Sequence, residues 1–160
     1  RSGRQDASAI AAHLTNGGGI AVASIGGWDT HGSQADTLAK KLPEVADFVL
    51  TIKAGMTPEA WASTVICVVT EFGRTARQNG SGGTDHGTGS VTMFAGGAVA
   101  GGKVYGRWPG LGNLYADRDL LPTSDVRAWL GAVVHAHMGV SRSAVEGIVF
   151  PGVTLDGCPF

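Results

Sequence analysis

An α/β fold, a layered sandwich built on a mostly parallel sheet, is what the sequence predicts, and three observations predict it. Two short runs, "GIAVASIGG" at 19–27 and "STVICVVT" at 63–70, are continuously apolar, the pattern of strands covered on both faces. Segments with helical spacing of apolar residues alternate with them, the order of a layered α/β domain. Glycine, 26 residues in all, is concentrated between these segments, at 17–19, 80–89 and 96–112. The connections are therefore long, and backbone can approach a ligand closely where no side chain intervenes.

In chain order, "RQDASAIAAHLTNGGG" predicts a helix with Ala7, Ile10, Ala11 and Leu14 near one face and Asn16-Gly17 as its stop. The apolar run 19–27 follows as a strand. "SQADTLAKKLPEVADFVLTIKAGM" spaces Leu38, Leu42, Val45, Val49 and Ile52 at three or four residues, one long amphipathic helix that Pro43 bends or divides. The run 63–70 is the second strand, and "SVTMFAGG" and "KVYG" read as further short ones. "PTSDVRAWLGAVVHAHMG" predicts a last helix, with Thr123 or Ser124 as N-cap, apolar positions at Val126, Leu130, Val133 and Val134, and Gly139 as its stop. No repeat or linker divides the chain, so residues 1–160 read as a single α/β domain.

Composition narrows the function classes. A chain of 160 residues, 43% hydrophobic and 16% charged with net charge -1, buries a sizeable core. It lacks the basic excess of a nucleic-acid binder, and no apolar run reaches the roughly 18 residues of a membrane span. Cys67 lies in an apolar run and Cys158 in a Pro/Gly tail, and two cysteines define no disulfide framework, with a bridge between them left open. The chain starts at Arg1 and shows no signal-like segment, so a fragment or a processed chain is expected.

Ligands of parallel α/β sheets sit beyond the carboxyl ends of the strands, and two polar stretches fall there. "GGWDTHGSQ" sets Asp29 and His31 two residues apart, on one face if the segment is extended; a second reading has Asp29 and Thr30 capping the next helix. Glu71 follows the run 63–70, and Asp85 and His86 come from the Gly-rich loop. Carboxylate oxygens with imidazole nitrogens suit zinc, manganese or iron. The competing reading is a salt-bridged loop in which Arg74 and Arg77 neutralise Glu71 and Asp85. Arg74 fits an oxyanion as well as it fits Glu71. His13, His135 and His137 fall on helices and are left out of the site, and Trp28, Trp61, Trp108 and Trp129 read as core or loop anchors.

"GGWDTHGSQ", "TEFGRTARQNGSGGTDHGTG", "GGAVAGGKVYG" and "DRDLLPTSDVRAWLGAVVHAHMGV", in this order, resemble the C-terminal half of the bacterial DUF1501 proteins. That family is in turn similar to the alkaline phosphatase and sulfatase superfamily, α/β sandwiches with metals at the strand ends. The resemblance implies that the chain is the C-terminal part of a larger domain. It also implies that Asp29, His31 and His86 hold one metal and that Glu71 stands for the acid of a second, whose imidazole position is occupied by Phe72. Asp85 is a further candidate ligand for that second ion, and Arg74 the catalytic oxyanion clamp. The implied cofactor is a divalent metal, one or two ions, zinc ahead of manganese, iron or calcium. The implied activity is hydrolysis of a small phosphate or sulfate ester, with the nucleophile upstream of this chain and the protein periplasmic or exported. The other reading is a non-catalytic binding or structural module of the same fold.

Overall fold

The computed structural model describes residues 3–155. Its first helix, α1 (Gly3–Thr15), buries Ala7 and Ala11, two of the residues whose spacing predicts it, and ends where expected, at Gly17 with φ +88°. Helix α2 (Gln34–Gly55) lies against it. Small residues set the closeness of this contact: a Cβ on Gly55 would come within 2.9 Å of the Ala11 methyl. Arg4 closes the helix pair with a two-pronged ion pair to Asp47, both bonds 2.7 Å. Pro43 lies inside α2 and does not end it. The missing N–H leaves the Ala39 carbonyl without its helical donor, and the helix continues on the packing of its inner face.

The strands differ from expectation. Residues 19–27 belong to no strand; Ile20 and Val22 are exposed, Val22 at 91%. "KVYG" is likewise outside any strand, with Val104 and Tyr105 exposed. The strands that form are short and paired antiparallel in twos: β1 (Ile66–Val68) with β4 (Met93–Ala95), β2 (Gly73–Arg74) with β3 (His86–Gly87), and β5 (Leu114–Tyr115) with β6 (Asp119–Leu120). This overturns the mostly parallel sheet. Parallel neighbours need a crossover that returns a second strand alongside the first; here the run expected to supply it stays unpaired, and β1 bonds to β4, which runs back along it.

One small element has a local cause that the sequence carries. Helix α3 (Pro58–Ala62) starts at Thr57, whose hydroxyl accepts from Ala60 N at 3.2 Å, with Pro58 in the first turn where its absent N–H costs nothing. The β5–β6 hairpin turns through Ala116 and Asp117, both at positive φ. Helix α4 (Val126–Ala136) is capped by Asp125, one residue after the expected Ser124, and Ser124 instead accepts from Trp129 Nε1 at 3.0 Å. Gly131, Ala132 and Val133 are its buried residues, while Val126 is exposed. Gly131 lets Val145, Phe150 and Leu155 close over the helix, and Val145, Val153 and Leu155 form the buried cluster there. Helix α5 (Arg142–Ala144) and the π-helical turn Val145–Val149 lead into that cluster.

Among the described residues no helix is long and apolar enough to cross a membrane. Cys67 is a half-buried free thiol whose pKa is raised by burial, and Cys158 lies outside the described residues.

The cap of α4 is testable. Asp125 accepts from Arg127 N at 2.8 Å and from the Arg127 guanidinium at 2.6 Å, and these bonds, the guanidinium first, hold its carboxyl below the ordinary carboxylate range. Its contribution is therefore fully present above the ordinary value of about 3.9 and is lost as pH falls through the lowered folded value. Asp125→Ala is expected to cost about 1 kcal/mol in urea unfolding at neutral pH, and the gap to wild type is expected to shrink in strong acid.

Candidate metal centre

The site depends on how residues 30–34 are held. Thr84 N donates to Thr30 O at 3.2 Å, Ser33 N to Ser81 O at 3.2 Å and Gln34 N to Gly82 O at 3.0 Å, with Gly32 and Gly82 as bridge partners. Bonded in this way the segment alternates its side chains: Thr30 is buried at 4% exposure, and its neighbours Asp29 and His31 are exposed together. The capping reading of this triplet fails on the same geometry. The N-cap of α2 is Ser33, in a left-handed conformation and with no side-chain cap bond.

The Gly-rich loop supplies the other half. The pair β2–β3 sets Arg74 opposite His86 and Gly73 opposite Gly87. These glycines are there for closeness, since a Cβ on Gly73 would overlap the Gly89 backbone and one on Gly87 the Arg74 backbone. The segment of β6 steadies the pair through Ala76 N to the carbonyl of Arg118, the residue ahead of β6, at 3.0 Å and Gly89 N to Leu120 O at 3.1 Å. Asn79 organises the turn: its Oδ1 accepts from Ser81 N at 2.9 Å and Gly83 N at 3.1 Å, and its Nδ2 donates to His31 O at 2.9 Å and Asp85 Oδ1 at 3.1 Å.

Between the halves, three groups converge on one oxygen. Asp29 Oδ1 lies 2.9 Å from His31 Nε2, 2.8 Å from His86 Nε2 and 2.9 Å from Arg74 Nη2. One ligand atom each from Asp29, His31 and His86 falls within 4.8 Å of the others, and all three residues are exposed. Ligands at about 2.0–2.1 Å around a tetrahedral zinc stand roughly 3.3 Å apart, so modest adjustment of these side chains accommodates an ion. Three protein ligands with an open side is also the arrangement of catalytic rather than structural zinc. The residues therefore fit a divalent cation.

The remaining expected residues take other places. Asp85 meets the far nitrogen of His31, Oδ1 to Nδ1 2.9 Å, and is not in the cluster of ligand atoms. Glu71 is exposed and also outside it. Arg74 pairs with Asp29, not with Glu71 or Asp85 as the salt-bridged-loop reading requires, and it further donates to Thr84 O at 2.9 Å and Trp28 O at 2.7 Å. Phe72 stacks on His86 with ring centroids 4.0 Å apart, and the Arg74 guanidinium lies 5.3 Å from the same phenyl ring. Asn79 and the stacking role of Phe72 are absent from the sequence reading, although an Asn before a Gly-rich turn is a recognisable signal.

Both carboxylates, Asp29 and Asp85, are held in the ionised form by their neighbours. The hydrogen bond with His86, then Arg74 and the charges of the two histidines, pull the Asp29 pKa down against the opposing effect of burial. Asp85 is lowered chiefly by His31 and next by Asn79.

The family model described as protein of unknown function (DUF1501) matches residues 1–148. The chain belongs to the DUF1501 family. No curated protein and no solved structure matches it. In this DUF1501 chain the matched span contains both halves of the centre, from Asp29 to His86.

Gly83 offers a test of the framework. A Cβ there would overlap the backbone of Thr30 and His31, whereas one on Gly80 meets nothing within 4 Å. Gly83→Ala is expected to weaken metal binding by at least tenfold with the helical circular dichroism retained. Gly80→Ala is expected to stay within about 0.5 kcal/mol of wild-type stability and to bind metal normally.

Proposed function

We propose that this chain is the metal-binding part of a hydrolase of alkaline-phosphatase or sulfatase type, acting on small phosphate or sulfate esters. The observation that carries the reading is the meeting of two imidazole Nε2 atoms and a carboxylate oxygen at one exposed point beside a guanidinium. The motif resemblance to that superfamily supports the choice of esters. A bound divalent cation, zinc ahead of manganese, iron or calcium, would supply a Lewis acid for an ester oxygen. Asp29, His31 and His86 would hold it, and one ion is the number these residues support, because Phe72 fills the place of a further imidazole and Glu71 stands outside the cluster.

The rest of the chemistry falls to neighbouring groups. Arg74, with its side chain 19% exposed, sets a second positive charge beside the centre, which favours arrival of an anionic ester and gives Arg74 the part of an oxyanion clamp. Two of the local hydroxyls are poorly placed as nucleophiles. Thr30 is buried, and Thr75 Oγ1 donates to Arg77 O at 3.1 Å and accepts from Asp85 N at 3.2 Å. Attack by water, or by a hydroxyl outside this chain, completes the proposal.

A non-catalytic binding or structural module is the second reading. Arg74 favours it, since its guanidinium donates to two carbonyls and a carboxylate of the protein itself.

Elemental analysis of tag-free protein prepared without chelators tests the binding, and p-nitrophenyl phosphate and p-nitrophenyl sulfate test the turnover. Close to one equivalent of metal is expected in wild type and none in His86→Ala, with ester cleavage that disappears in the same variant. Metal without cleavage supports the non-catalytic module. Failure to take up metal after incubation with zinc, manganese or iron overturns the hydrolase and favours the non-catalytic module.

A further inference from the structure

His31 and His86 each direct Nε2 toward Asp29, but they are held differently. His86 is held by its face against Phe72. His31 is held through its second nitrogen, Nδ1, at 2.9 Å from Asp85 Oδ1. An ionised carboxylate only accepts, and each ring nitrogen of His31 lies 2.9 Å from one, Nδ1 from Asp85 Oδ1 and Nε2 from Asp29 Oδ1, so the two carboxylates compete for the proton of the neutral ring. A neutral imidazole with Nδ1 protonated has its lone pair on Nε2, the atom that faces Asp29 and that a cation needs. Asp29 is the more crowded acceptor, because its Oδ1 also accepts from Arg74 Nη2 at 2.9 Å and lies 2.8 Å from His86 Nε2, whereas the further donor at Asp85 Oδ1 is Asn79 Nδ2; this difference favours the proton on Nδ1.

Asp85 is itself fixed. Its backbone is clamped to Thr75 by Thr75 N donating to Asp85 O at 3.0 Å and Asp85 N donating to Thr75 Oγ1 at 3.2 Å. Its carboxylate accepts from Asn79 Nδ2 at 3.1 Å, and the same amide donates to the His31 carbonyl at 2.9 Å. Asn79 thus fixes the distance between the His31 backbone and the carboxylate that orients the His31 ring.

We propose that Asp85 is a positioning residue for the metal centre, held by Asn79, which keeps His31 in the Nδ1–H form with Nε2 turned to the cation. This rests on the reading of Asp29, His31 and His86 as a metal site. It gives Asp85 a role distinct from that of a ligand: its loss weakens binding without changing the ligand set. Carboxylate partners of metal-bound histidines contribute about 10–100-fold in affinity.

Two measurements test it, using zinc alone as the probe. The first is zinc affinity by competition with a chromophoric chelator, for wild type, Asp85→Ala, Asp85→Asn, Asn79→Ala and His86→Ala. Asp85→Ala is expected to weaken binding by about 10–100-fold at unchanged stoichiometry, with Asp85→Asn between it and wild type because its carbonyl oxygen can still accept from Nδ1–H. Asn79→Ala is expected to weaken binding less than Asp85→Ala. The second is the tautomer of His31 in metal-free protein, read from nitrogen NMR shifts at a pH where imidazoles are neutral. Nδ1–H is expected in wild type and in Asp85→Asn, and a shift toward Nε2–H in Asp85→Ala. An unchanged tautomer and wild-type affinity in Asp85→Ala would overturn the proposal, as would complete loss of zinc equal to that in His86→Ala, which makes Asp85 a ligand. If wild type itself binds neither zinc here nor manganese or iron in the uptake test above, the metal reading and the proposal fall together, and the tautomer result then reports an Asp85–His31 contact without a cation to serve.

Discussion

Backbone hydrogen bonding between residues 30–34 and 81–84 joins the two parts of the chain that carry the chemistry. Asp29 and His31 stand ahead of α2, and His86 stands on β3, well separated in sequence. Glycine makes the junction possible, because Gly83 lies so close to Thr30 and His31 that no side chain fits. The pairing fixes the alternation of side chains along the first segment, so Thr30 faces inward while the carboxylate and imidazole face the open side. With that register slipped by one residue the opposite set would face the centre.

Electrostatics then explain why so sparsely charged a chain concentrates charge here. Asp29 sits among two imidazoles and a guanidinium, and Asp85 between an imidazole and an amide. Each carboxylate is stabilised in its ionised form first by a histidine from the other segment, Asp29 by His86 and Asp85 by His31. The groups are exposed, so individual ion pairs add little stability. Their arrangement is better understood as a cluster of donor atoms, one each from Asp29, His31 and His86, whose geometry could hold a cation.

Helices α1, α2 and α4 are legible in the sequence because apolar spacing reports a face directly, as Ala7 and Ala11 show. Strand pairing is less so. The run 19–27 has the composition of a buried strand, but composition carries no information about a partner, and the described residues provide none. At the centre, Asp29, His31 and His86 are legible as donor types with the right local spacing. What Asp85 and Arg74 do depends on which nitrogen or oxygen each one faces, and that is decided by the register of β2–β3 and the turn around Asn79. Phe72 shows the same limit: its place next to Glu71 is visible, its stacking on His86 is not.

The central claim is that Asp29, His31 and His86 together hold a cation. X-ray absorption at the zinc edge of zinc-loaded protein tests it most directly. The account requires two imidazoles in the first shell, with nitrogen and oxygen neighbours at about 2.0–2.1 Å, and the loss of one imidazole in His31→Ala. A shell of oxygen alone, or one that keeps both imidazoles in that variant, would contradict it.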